Sequence, residues 1–425
     1  MTTPETDPIV ITGMGAVTPL GVGVATNWER LLAGKSGVRT NDRFDVSQLA
    51  CQIAGLVRPK SEDPNGFDPL DFVDAKDVKK MDVFIQYGMG AAQEAIAQAN
   101  WKPETDADRE ATATIIASGV GGFPNMTEAA FTLRDRGARR LSPFIVPSFL
   151  ANLAAGWISI RNGFRGPLGT PVTACAAAAQ AIGDGMRLIR SGEAEVAVVG
   201  GAEGSVDPVT IGGFAAARAL ATSFNDRPTE ASRPFDRDRD GFVLAEGAAV
   251  LVIERLSHAL KRGAKPLAAL TGYGTTADAY HLTASPPDGE GAQRAMRQAL
   301  RMGGLSPADI GYVNAHSTST QVGDAAEIAA LASVFANRGK ELAISATKSA
   351  TGHLLGAAGA IATVYTVMAL RTGILPATLN LENPDESAAV FDLVAKSAKA
   401  KDVAHALVNA FGFGGVNASL LLSRV

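Results

Sequence analysis

The sequence has few of the residues that support cross-linking or charge-driven binding. Cys51 and Cys175 are the two cysteines among 425 residues, which excludes a disulfide framework and favours a reducing compartment. Histidine occurs five times, and the formal net charge is −4, so no overall basic field exists to attract nucleic acid or a membrane surface. We therefore predict a cytoplasmic protein with no nucleic-acid or membrane partner.

Hydrophobic residues make up 46% of the chain, enough to build a large core. Residues 143–160 and 349–370 contain no Asp, Glu, Lys or Arg, but prolines, glycines and polar residues interrupt them. We interpret both as inner-layer segments that protein covers on all sides, rather than as membrane spans. Residues 1–7 lack the basic and apolar regions of a signal peptide.

Apolar runs of strand length alternate with helical patterns, which predicts an α/β chain with a covered parallel sheet. The predicted strands cover residues 8–12, 113–117, 196–199, 244–254, 267–272, 310–315, 342–346, 403–409 and 418–422, and the predicted helices cover 27–33, 82–100, 176–190, 291–302 and 324–335. Twice, a strand delivers a polar residue, Cys175 or His353, to the start of a helix rich in small residues. This predicts a duplicated βα architecture in which the two reactive groups meet.

Cys175 follows a predicted strand end at residues 172–173 and precedes the predicted helix 176–190. Free N–H groups and the helix dipole at such a position favour a thiolate, which is the nucleophile that acyl transfer needs. Free cysteines are also among the most buried residues, and most of those are inert. The turn alone leaves both interpretations open; Cys51 lies in a mixed stretch and is interpreted as structural.

Two motifs are incomplete. The Gly-x-Gly at residues 13–15 has Thr18 where a dinucleotide fingerprint has its third glycine. Residues 236–241 imitate the start of a calcium loop, but Gly247 stands where the twelfth-position glutamate belongs, and neighbouring arginines oppose a cation. We predict a surface turn rich in Asp and Arg, and no metal site.

Two histidines stand where apolar strands meet polar loops, a usual place for functional groups in an α/β sheet. His316 lies in Asn-Ala-His-Ser-Thr-Ser-Thr at residues 314–320, and His353 ends Lys-Ser-Ala-Thr-Gly-His at residues 348–353. With Thr-Ala-Cys at 173–175 and Gly-Phe-Gly-Gly at 412–415, these motifs resemble the β-ketoacyl-acyl carrier protein synthases, nearest to their synthase II subgroup. The match follows the chain in order over nearly its whole length.

The resemblance implies a thiolase-like fold, a duplicated five-layered αβαβα architecture built from two related βα halves, and a homodimer. The implied halves are residues 1–262, which carry Cys175, and residues 263–425, which carry His316 and His353. No cofactor or metal is implied, because the phosphopantetheine arrives on the acyl carrier protein.

The resemblance also implies a reaction. Cys175 would accept an acyl chain from acyl carrier protein, and His316 and His353 would assist decarboxylation of malonyl carrier. The resulting carbanion equivalent would attack the thioester, giving a 3-oxoacyl carrier, carbon dioxide and free carrier in fatty-acid elongation. Two imidazole N–H donors suit the charge that develops on the thioester oxygen.

Further roles follow from family positions. Lys348 and Glu327 would pair to order the histidine site with Asp324, and the backbone of Phe413 would join that of Cys175 in an oxyanion hole. The implied substrate-path residues are Val120 at the acyl-pocket floor, Phe242 near malonyl, Thr318 and Thr320 on pantetheine, and Gly412 and Gly414 beside the Phe413 gate. The implied docking face for the acidic carrier comprises Lys76, Lys79, Lys80, Arg139, Arg140 and Arg218.

Three departures from the family pattern leave substrate range open. Ser317 and Ala410 replace a usual glycine and serine, and Ala362 replaces a glutamate linked to a monovalent cation, which argues against that cation here. The main alternative is therefore a synthase with a specialised carrier, for very-long-chain fatty acids or polyketides. A thiolase acting on coenzyme A esters would need a second late cysteine, and none follows Cys175. A non-catalytic subunit would lose Cys175, and a cysteine hydrolase would not require two histidines and a lysine.

Overall fold

The computed structural model describes residues 7–425, so most of the segment examined for a signal peptide lies outside the described residues. The strands are β1 Ile9–Thr18, β2 Gly21–Val22, β3 Val38–Thr40, β4 Ile53–Gly55, β5 Thr112–Ala117, β6 Leu168–Gly169, β7 Val196–Glu203, β8 Gly247–Arg255, β9 Ala268–Ala277, β10 Tyr312–Asn314, β11 Ala343–Ser345, β12 Ile374–Leu375, β13 Asp392–Leu393, β14 Lys399–Ala400, β15 His405–Gly412 and β16 Val416–Ser423. The helices are α1 Val24–Leu32, α2 Ala75–Val78, α3 Val83–Ala99, α4 Asp106–Glu110, α5 Phe123–Arg136, α6 Ile145–Phe149, α7 Leu153–Asn162, α8 Ala177–Ser191, α9 Pro208–Ala216, α10 Leu256–Lys261, α11 Glu290–Gly303, α12 Gln321–Val334, α13 Lys348–Thr351 and α14 Ala358–Thr372.

Twelve strands of the described chain join one mixed sheet, in the order β13-β11-β10-β15-β16-β9-β1-β8-β7-β5-β6 with β2 beside β1. The expectation of a parallel sheet is therefore wrong. Both halves repeat one pattern: β5 is parallel to β7, while β8 and β1 follow antiparallel; β10 is parallel to β15, while β16 and β9 follow antiparallel. The halves join where Ile9–Ile11 of β1 pair with β9. The predicted boundary after residue 262 stays a prediction.

The layers are built around two central helices. Nearly every residue of α14 is buried, and α8 buries its apolar and small residues in the same core cluster. Helices α3 and α7 cover the outer face of the first half's strands, and α11 and α12 cover that of the second half's strands. Of the central helices, α8 packs on β5 and β7 of the first half of the sheet, and α14 packs on β15 of the second half. Outer helices, half-sheet, central helices, half-sheet and outer helices make five layers, so the predicted duplicated αβαβα fold is confirmed.

The duplication extends to the turns that open the central helices. Short 3₁₀ turns, Ala174–Ala176 and Leu355–Ala357, lead into α8 and α14, each of 15 residues. Each turn starts with a residue in the left-handed region, Ala174 at φ 48° and Leu355 at φ 42°. Cys175 is the middle residue of the first turn, and Gly356 takes that place in the second, while His353 lies just before it. No strand ends at residues 172–173, so that detail of the prediction is wrong.

The two charge-free segments have different outcomes. Residues 349–370 are almost entirely buried, as predicted. Within the described residues, the stretch Leu355–Thr372 is the one helix long and apolar enough to cross a membrane, and 83% of it is buried inside the protein. Residues 143–160 are not covered on all sides: Val146 is 52% exposed and Ile160 is 72% exposed.

The Asp/Arg-rich turn is also less exposed than predicted. Asp236 is fully buried and accepts a hydrogen bond from Nε of Arg233 at 3.1 Å. Arg239 is buried too and lies 3.3 Å from Asp385, which comes from a distant part of the chain. Arg233, Asp236 and Arg239 are therefore buried in ion pairs, while Arg237 and Asp238 of the same turn are exposed. Across residues 7–425, no group of three His, Cys, Asp or Glu side chains is arranged to hold a metal.

Small residues permit the close packing of the central layer. A Cβ added at Gly359 of α14 would come within 2.9 Å of the Cβ of Ala179 in α8. A Cβ added at Gly183 of α8 would lie 2.3 Å from the ring of Tyr273, which real Cβ contacts do not reach. Because these two positions lack side chains, α14 can approach the backbone of α8, and α8 can pack against the ring of Tyr273.

We expect Gly183→Ala to destabilise the protein by about 1 to 3 kcal/mol, because overpacking outweighs the gain in helix propensity. The matched control is Gly213→Ala in α9, where an added Cβ meets nothing within 4 Å. That control should be stabilising by about 0.5 to 1 kcal/mol. Thermal unfolding midpoints measure both effects, and an unchanged or higher midpoint for Gly183→Ala would contradict the packing argument.

Candidate active site

A cavity of about 560 Å³ opens at the junction of the two halves. Most residues that the sequence singled out for chemistry line it. The lining includes Val120, Cys175, Arg218, Phe242, His316, Thr318, Thr320, His353, Gly412 and Phe413. Lys348, Glu327 and Asp324 lie behind the histidines, outside the lining, and are buried. Gly414 is exposed in the turn after Phe413 and also lies outside the lining.

Cys175 is half-buried in its 3₁₀ turn, and its Sγ lies 2.9 Å from Nε2 of His353. The left-handed backbone of Ala174 turns the chain sharply before the cysteine. Gly412 lets β15 pass close behind it, since a Cβ there would come within 2.7 Å of the carbonyl oxygen of Thr173. The turn therefore presents the sulfur toward the cavity and the imidazole.

The electrostatic environment of Cys175 contradicts the expected thiolate. Burial raises the pKa of the Cys175 thiol to about 12, although the charge of Lys348 and the backbone amides of Cys175 and Phe413 lower it. The prediction from the helix dipole fails because desolvation raises the thiol pKa by more than the local dipoles and charges lower it. In the resting site the proton stays on sulfur, so the 2.9 Å contact joins a neutral thiol to Nε2 of a neutral imidazole.

Both histidines face the cavity as neutral imidazoles. Burial, joined by the positive charge of Lys348, lowers the pKa of His316 and of His353 well below the usual value. Their ring centroids are 5.6 Å apart, with the planes at 80°. A neutral imidazole keeps one N–H, so the pair can supply two hydrogen-bond donors to one oxygen.

The second half's His353 is fixed by the first half. Its backbone N–H donates to the carbonyl of Val243 at 2.8 Å, and the N–H of Ala245 donates to its carbonyl at 3.0 Å. The ring of Phe242 packs edge-on against the imidazole, with centroids 5.4 Å apart. A short bridge between the halves therefore sets the position of the ring that contacts Cys175.

Glu327 orders the turn that carries His316. Its carboxylate accepts the N–H of His316 at 2.9 Å and both the N–H and the hydroxyl of Ser317, at 2.6 and 2.8 Å. Asn409 adds a fourth donor at 3.1 Å. Asn409 was missed from sequence, because a buried asparagine within a strand carries no local signal of its partner.

The expected direct pair of Lys348 and Glu327 is not observed. In the described chain no carboxylate oxygen lies within 4.0 Å of the Lys348 ammonium. Lys348 is 5% exposed, and burial lowers its pKa to about 8, while the charge of Glu327 acts in the opposite direction. The ammonium therefore acts on the site at longer range, through its effects on Cys175 and the histidines.

Asp324 holds the loop that carries the two threonines. One oxygen accepts the N–H groups of Thr318 and Ser319 at 2.9 and 3.1 Å, and the other accepts that of Phe235 at 3.0 Å. Burial raises the pKa of Asp324 to about 7. The hydroxyls of Thr318 and Thr320 lie 3.2 Å apart at the cavity wall, where they can bind a polar chain.

Phe413 is 40% exposed between Gly412 and Gly414, with its ring 6.4 Å from that of Phe214. The loop that begins at Asp278 is tied to this turn, because its N–H donates to the carbonyl of Gly415 at 2.8 Å. Sequence reasoning missed Phe214 and Asp278, which both line the cavity. Neither stands in a motif with a chemical pattern, so the sequence offered no signal for them.

The predicted docking residues divide into two sets. Arg218 lines the cavity and is exposed. The other basic residues lie outside the lining, and all are exposed except Lys80, which is half-buried. Lys80 pairs with Asp77 at 2.7 Å and lies over the ring of Phe144. These other docking residues are Lys76, Lys79, Lys80, Arg139 and Arg140.

The fold and site define the chain as a thiolase-like acyl-transfer protein, with a cysteine thiol facing two neutral histidines. Family models described as beta-ketoacyl synthase, N-terminal domain, and beta-ketoacyl synthase, C-terminal domain, match residues 6–259 and 267–382. The chain belongs to the beta-ketoacyl synthase family, which confirms the resemblance drawn from its motifs.

Similar proteins agree with this family. The 3-oxoacyl-[acyl-carrier-protein] synthase 2 of Rhizobium meliloti is 48% identical, over 98% of each chain. A solved beta-ketoacyl synthase from Burkholderia phymatum is 32% identical with a TM-score of 0.89, covering 99% of this chain and 100% of that one. A solved type II polyketide ketosynthase, in complex with its acyl-carrier protein, is 29% identical with a TM-score of 0.88, over 99% and 100% of the two chains.

Because the pKa of the Cys175 thiol is raised to about 12, we expect its alkylation by iodoacetamide to accelerate about tenfold per pH unit up to pH 9. Mass spectrometry of the modified peptide measures the rate, and the Cys175→Ala variant serves as the control for alkylation at Cys51. Lys348→Met should slow alkylation, because the lysine charge lowers the thiol pKa. A plateau between pH 6 and 8 would instead demonstrate a preformed thiolate.

Proposed function

We propose that this chain is a 3-oxoacyl-acyl carrier protein synthase, an acyltransferase that elongates fatty-acyl chains by decarboxylative condensation with malonyl carrier. The observation that carries the proposal is the 2.9 Å contact between Sγ of Cys175 and Nε2 of His353, with His316 facing the same cavity. The 48% identity to a 3-oxoacyl-[acyl-carrier-protein] synthase 2 supports the same reaction.

In the first step the acyl chain moves from carrier to enzyme. Cys175 passes its proton to Nε2 of His353 as sulfur attacks the acyl thioester carbon. The backbone N–H groups of Cys175 and Phe413 stabilise the oxyanion. The carbon–sulfur bond to the carrier then breaks, and the departing pantetheine thiolate takes the proton from His353.

In the second step malonyl carrier replaces the free carrier. Acylated Cys175 has no proton to share, so neutral His353 now carries its single proton on Nε2. The carboxylate leaves as carbon dioxide, and its bonding electrons form an enolate whose oxygen accepts hydrogen bonds from His316 and His353. The carbanion carbon attacks the acyl carbon on Cys175, and the carbon–sulfur bond breaks. The product is 3-oxoacyl carrier, and the cysteine thiolate regains a proton from solvent.

The supporting groups maintain this arrangement. Glu327 and Asp324 fix the loops that carry His316 and the two threonines, which contact the pantetheine arm. Lys348 supplies positive charge beside both histidines. Phe413 gates the acyl pocket between two flexible glycines, Val120 closes its floor and Phe242 borders the malonyl position, as the family resemblance implies.

The partners are acyl carrier and malonyl carrier, and the enzyme works in the cytoplasm as a homodimer. An apolar free edge supports the dimer: β6 ends the sheet, with Leu168 47% and Val172 53% exposed nearby. Val146 and Ile160 are further exposed apolar residues of the same half. The basic residues of α2 and of the turn after α5 suit docking of an acidic carrier.

A synthase with a specialised carrier is the second candidate. The similarity to a type II polyketide ketosynthase, at a TM-score of 0.88, supports it, but the identity of 29% is below the 48% to the fatty-acid relative. Acylation by carriers of graded chain length separates the two. Common medium and long chains indicate fatty-acid elongation, whereas very long or unusual chains alone indicate the specialised role.

Cys175→Ala should abolish condensation, because no sulfur remains to hold the acyl chain, while malonyl decarboxylation continues. Intact-mass spectrometry should show the acyl adduct on the wild-type protein and none on the variant. Persistent condensation by Cys175→Ala would reject Cys175 as the nucleophile.

His353→Ala should lower the rate of condensation by about two to three orders of magnitude, because the developing charge on the substrate oxygen loses a hydrogen-bond donor.

Reversing Lys79, Lys80 and Arg140 to Glu should raise the KM for acyl carrier about tenfold with little change in kcat, because rim charges act mainly on encounter. Steady-state kinetics against carrier concentration measure this. Reversal of exposed Lys261, Lys265 and Lys396 in other segments is the control. Equal KM values for the two triple variants would show that the carrier docks elsewhere.

A further inference from the structure

A fully buried carboxylate lies behind the cavity and has no part in the proposed steps. Glu203 ends β7, and within residues 7–425 it forms no ion pair. One of its oxygens accepts the N–H groups of Gly119 at 2.8 Å and Gly356 at 3.0 Å. The other accepts the hydroxyl of Ser118 at 3.3 Å. These neutral donors, from two distant segments, lower the pKa of Glu203, but burial outweighs them and raises it to about 7.

The two glycines make this arrangement possible. A Cβ added at Gly119 would lie 2.5 Å from the carboxylate oxygen of Glu203. A Cβ added at Gly356 would lie 2.1 Å from the backbone nitrogen of Gly119 and 2.9 Å from the same oxygen. The backbones meet at this oxygen because neither residue has a side chain. The site is thus shaped around a carboxylate that binds both amides at once.

The segments that Glu203 joins form the cavity wall. Gly119, Val120 and Leu355 all line it. Ser118 also accepts the N–H of Gly121 at 2.9 Å, so the carboxylate supports the whole turn from 118 to 121. Gly356 occupies the middle of the 3₁₀ turn that closely follows His353. One buried group therefore links the wall beside Val120 to the segment after the histidine.

We propose that Glu203 is a positioning residue that sets the depth of the acyl pocket, and hence which chain lengths Cys175 accepts. The inference rests on the proposed function, since it assigns a cause to that enzyme's chain-length preference. Glu203 does not touch the acyl chain; it acts by holding Gly119 and Gly356 together. Without it, two buried amides lose their acceptor, and the wall relaxes.

The test compares Glu203→Ala and Glu203→Gln with a matched control, Glu94→Ala. Glu94 also accepts two backbone N–H groups, from Ala16 at 3.0 Å and Val24 at 2.8 Å, but lies outside the cavity lining. Each variant is incubated with acyl carriers of graded chain length, and intact-mass spectrometry measures the rate of Cys175 acylation. The readout is the ratio between preferred and disfavoured chain lengths.

We expect this ratio to fall about tenfold in Glu203→Ala, because both buried amides lose their acceptor and the wall relaxes. Glu203→Gln should retain the ratio, since its carbonyl oxygen can accept both amides. The Gln variant should also alkylate faster at pH 8, because the Glu203 charge raises the thiol pKa of Cys175. Glu94→Ala should lower the thermal midpoint and leave the ratio unchanged.

A wild-type ratio in folded Glu203→Ala overturns the inference. Should the Ala variant not fold, Glu203→Asp takes its place, because it keeps the charge but is too short to reach both amides. An unchanged ratio in the Asp variant likewise contradicts the proposal. If no acyl carrier acylates the wild-type protein, the proposed function fails instead, so the two failures are distinguishable.

Discussion

The active site depends on the close approach of two helices that only small residues permit. Helices α8 and α14 meet where Gly359 faces Ala179, and each begins at a short turn with a left-handed first residue. Cys175 sits in one turn, and His353 just precedes the other, so the approach of the helices fixes the sulfur 2.9 Å from the imidazole. A larger residue at the contact would separate the helices and the reacting atoms together. The small residues that let the central helices pack closely are therefore also required to keep the sulfur and the imidazole in contact.

The same burial determines the charge state of the site. It raises the pKa of Cys175 to about 12, raises that of Asp324 to about 7, and lowers those of both histidines. Lys348, whose own pKa falls to about 8, supplies the positive charge. The thiol and both imidazoles are therefore neutral in the resting site. Negative charge that develops on a substrate oxygen is then stabilised by hydrogen-bond donors already in place and by the lysine cation.

The sequence predicted those features whose determinants are local. Continuous apolar runs located β5, β7 and β15, and the repeated pattern of strand and small-residue helix predicted that Cys175 and His353 meet. Features set by distant partners were missed. The carboxylate of Asp236 is buried where it accepts the N–H groups of Glu382 and Asn383 from a distant part of the chain. The thiolate argument failed because local dipoles cannot account for desolvation by the whole fold. Exposure of residues 143–160 likewise depends on what packs against them, which composition does not specify.

The duplication explains why neither half could hold the site alone. The two central turns are equivalent in backbone, but the middle residue is a nucleophile in one and a glycine in the other. The second half's His353 is held by backbone bonds to Val243 and Ala245, which belong to the first half. In turn, Gly356 donates its N–H to Glu203 at the end of a first-half strand. Each half thus positions reactive or wall-forming groups of the other. The two similar turns have diverged: one presents the sulfur of Cys175, and the other presents the backbone N–H of Gly356. This difference makes the site asymmetric although the scaffold is nearly symmetric.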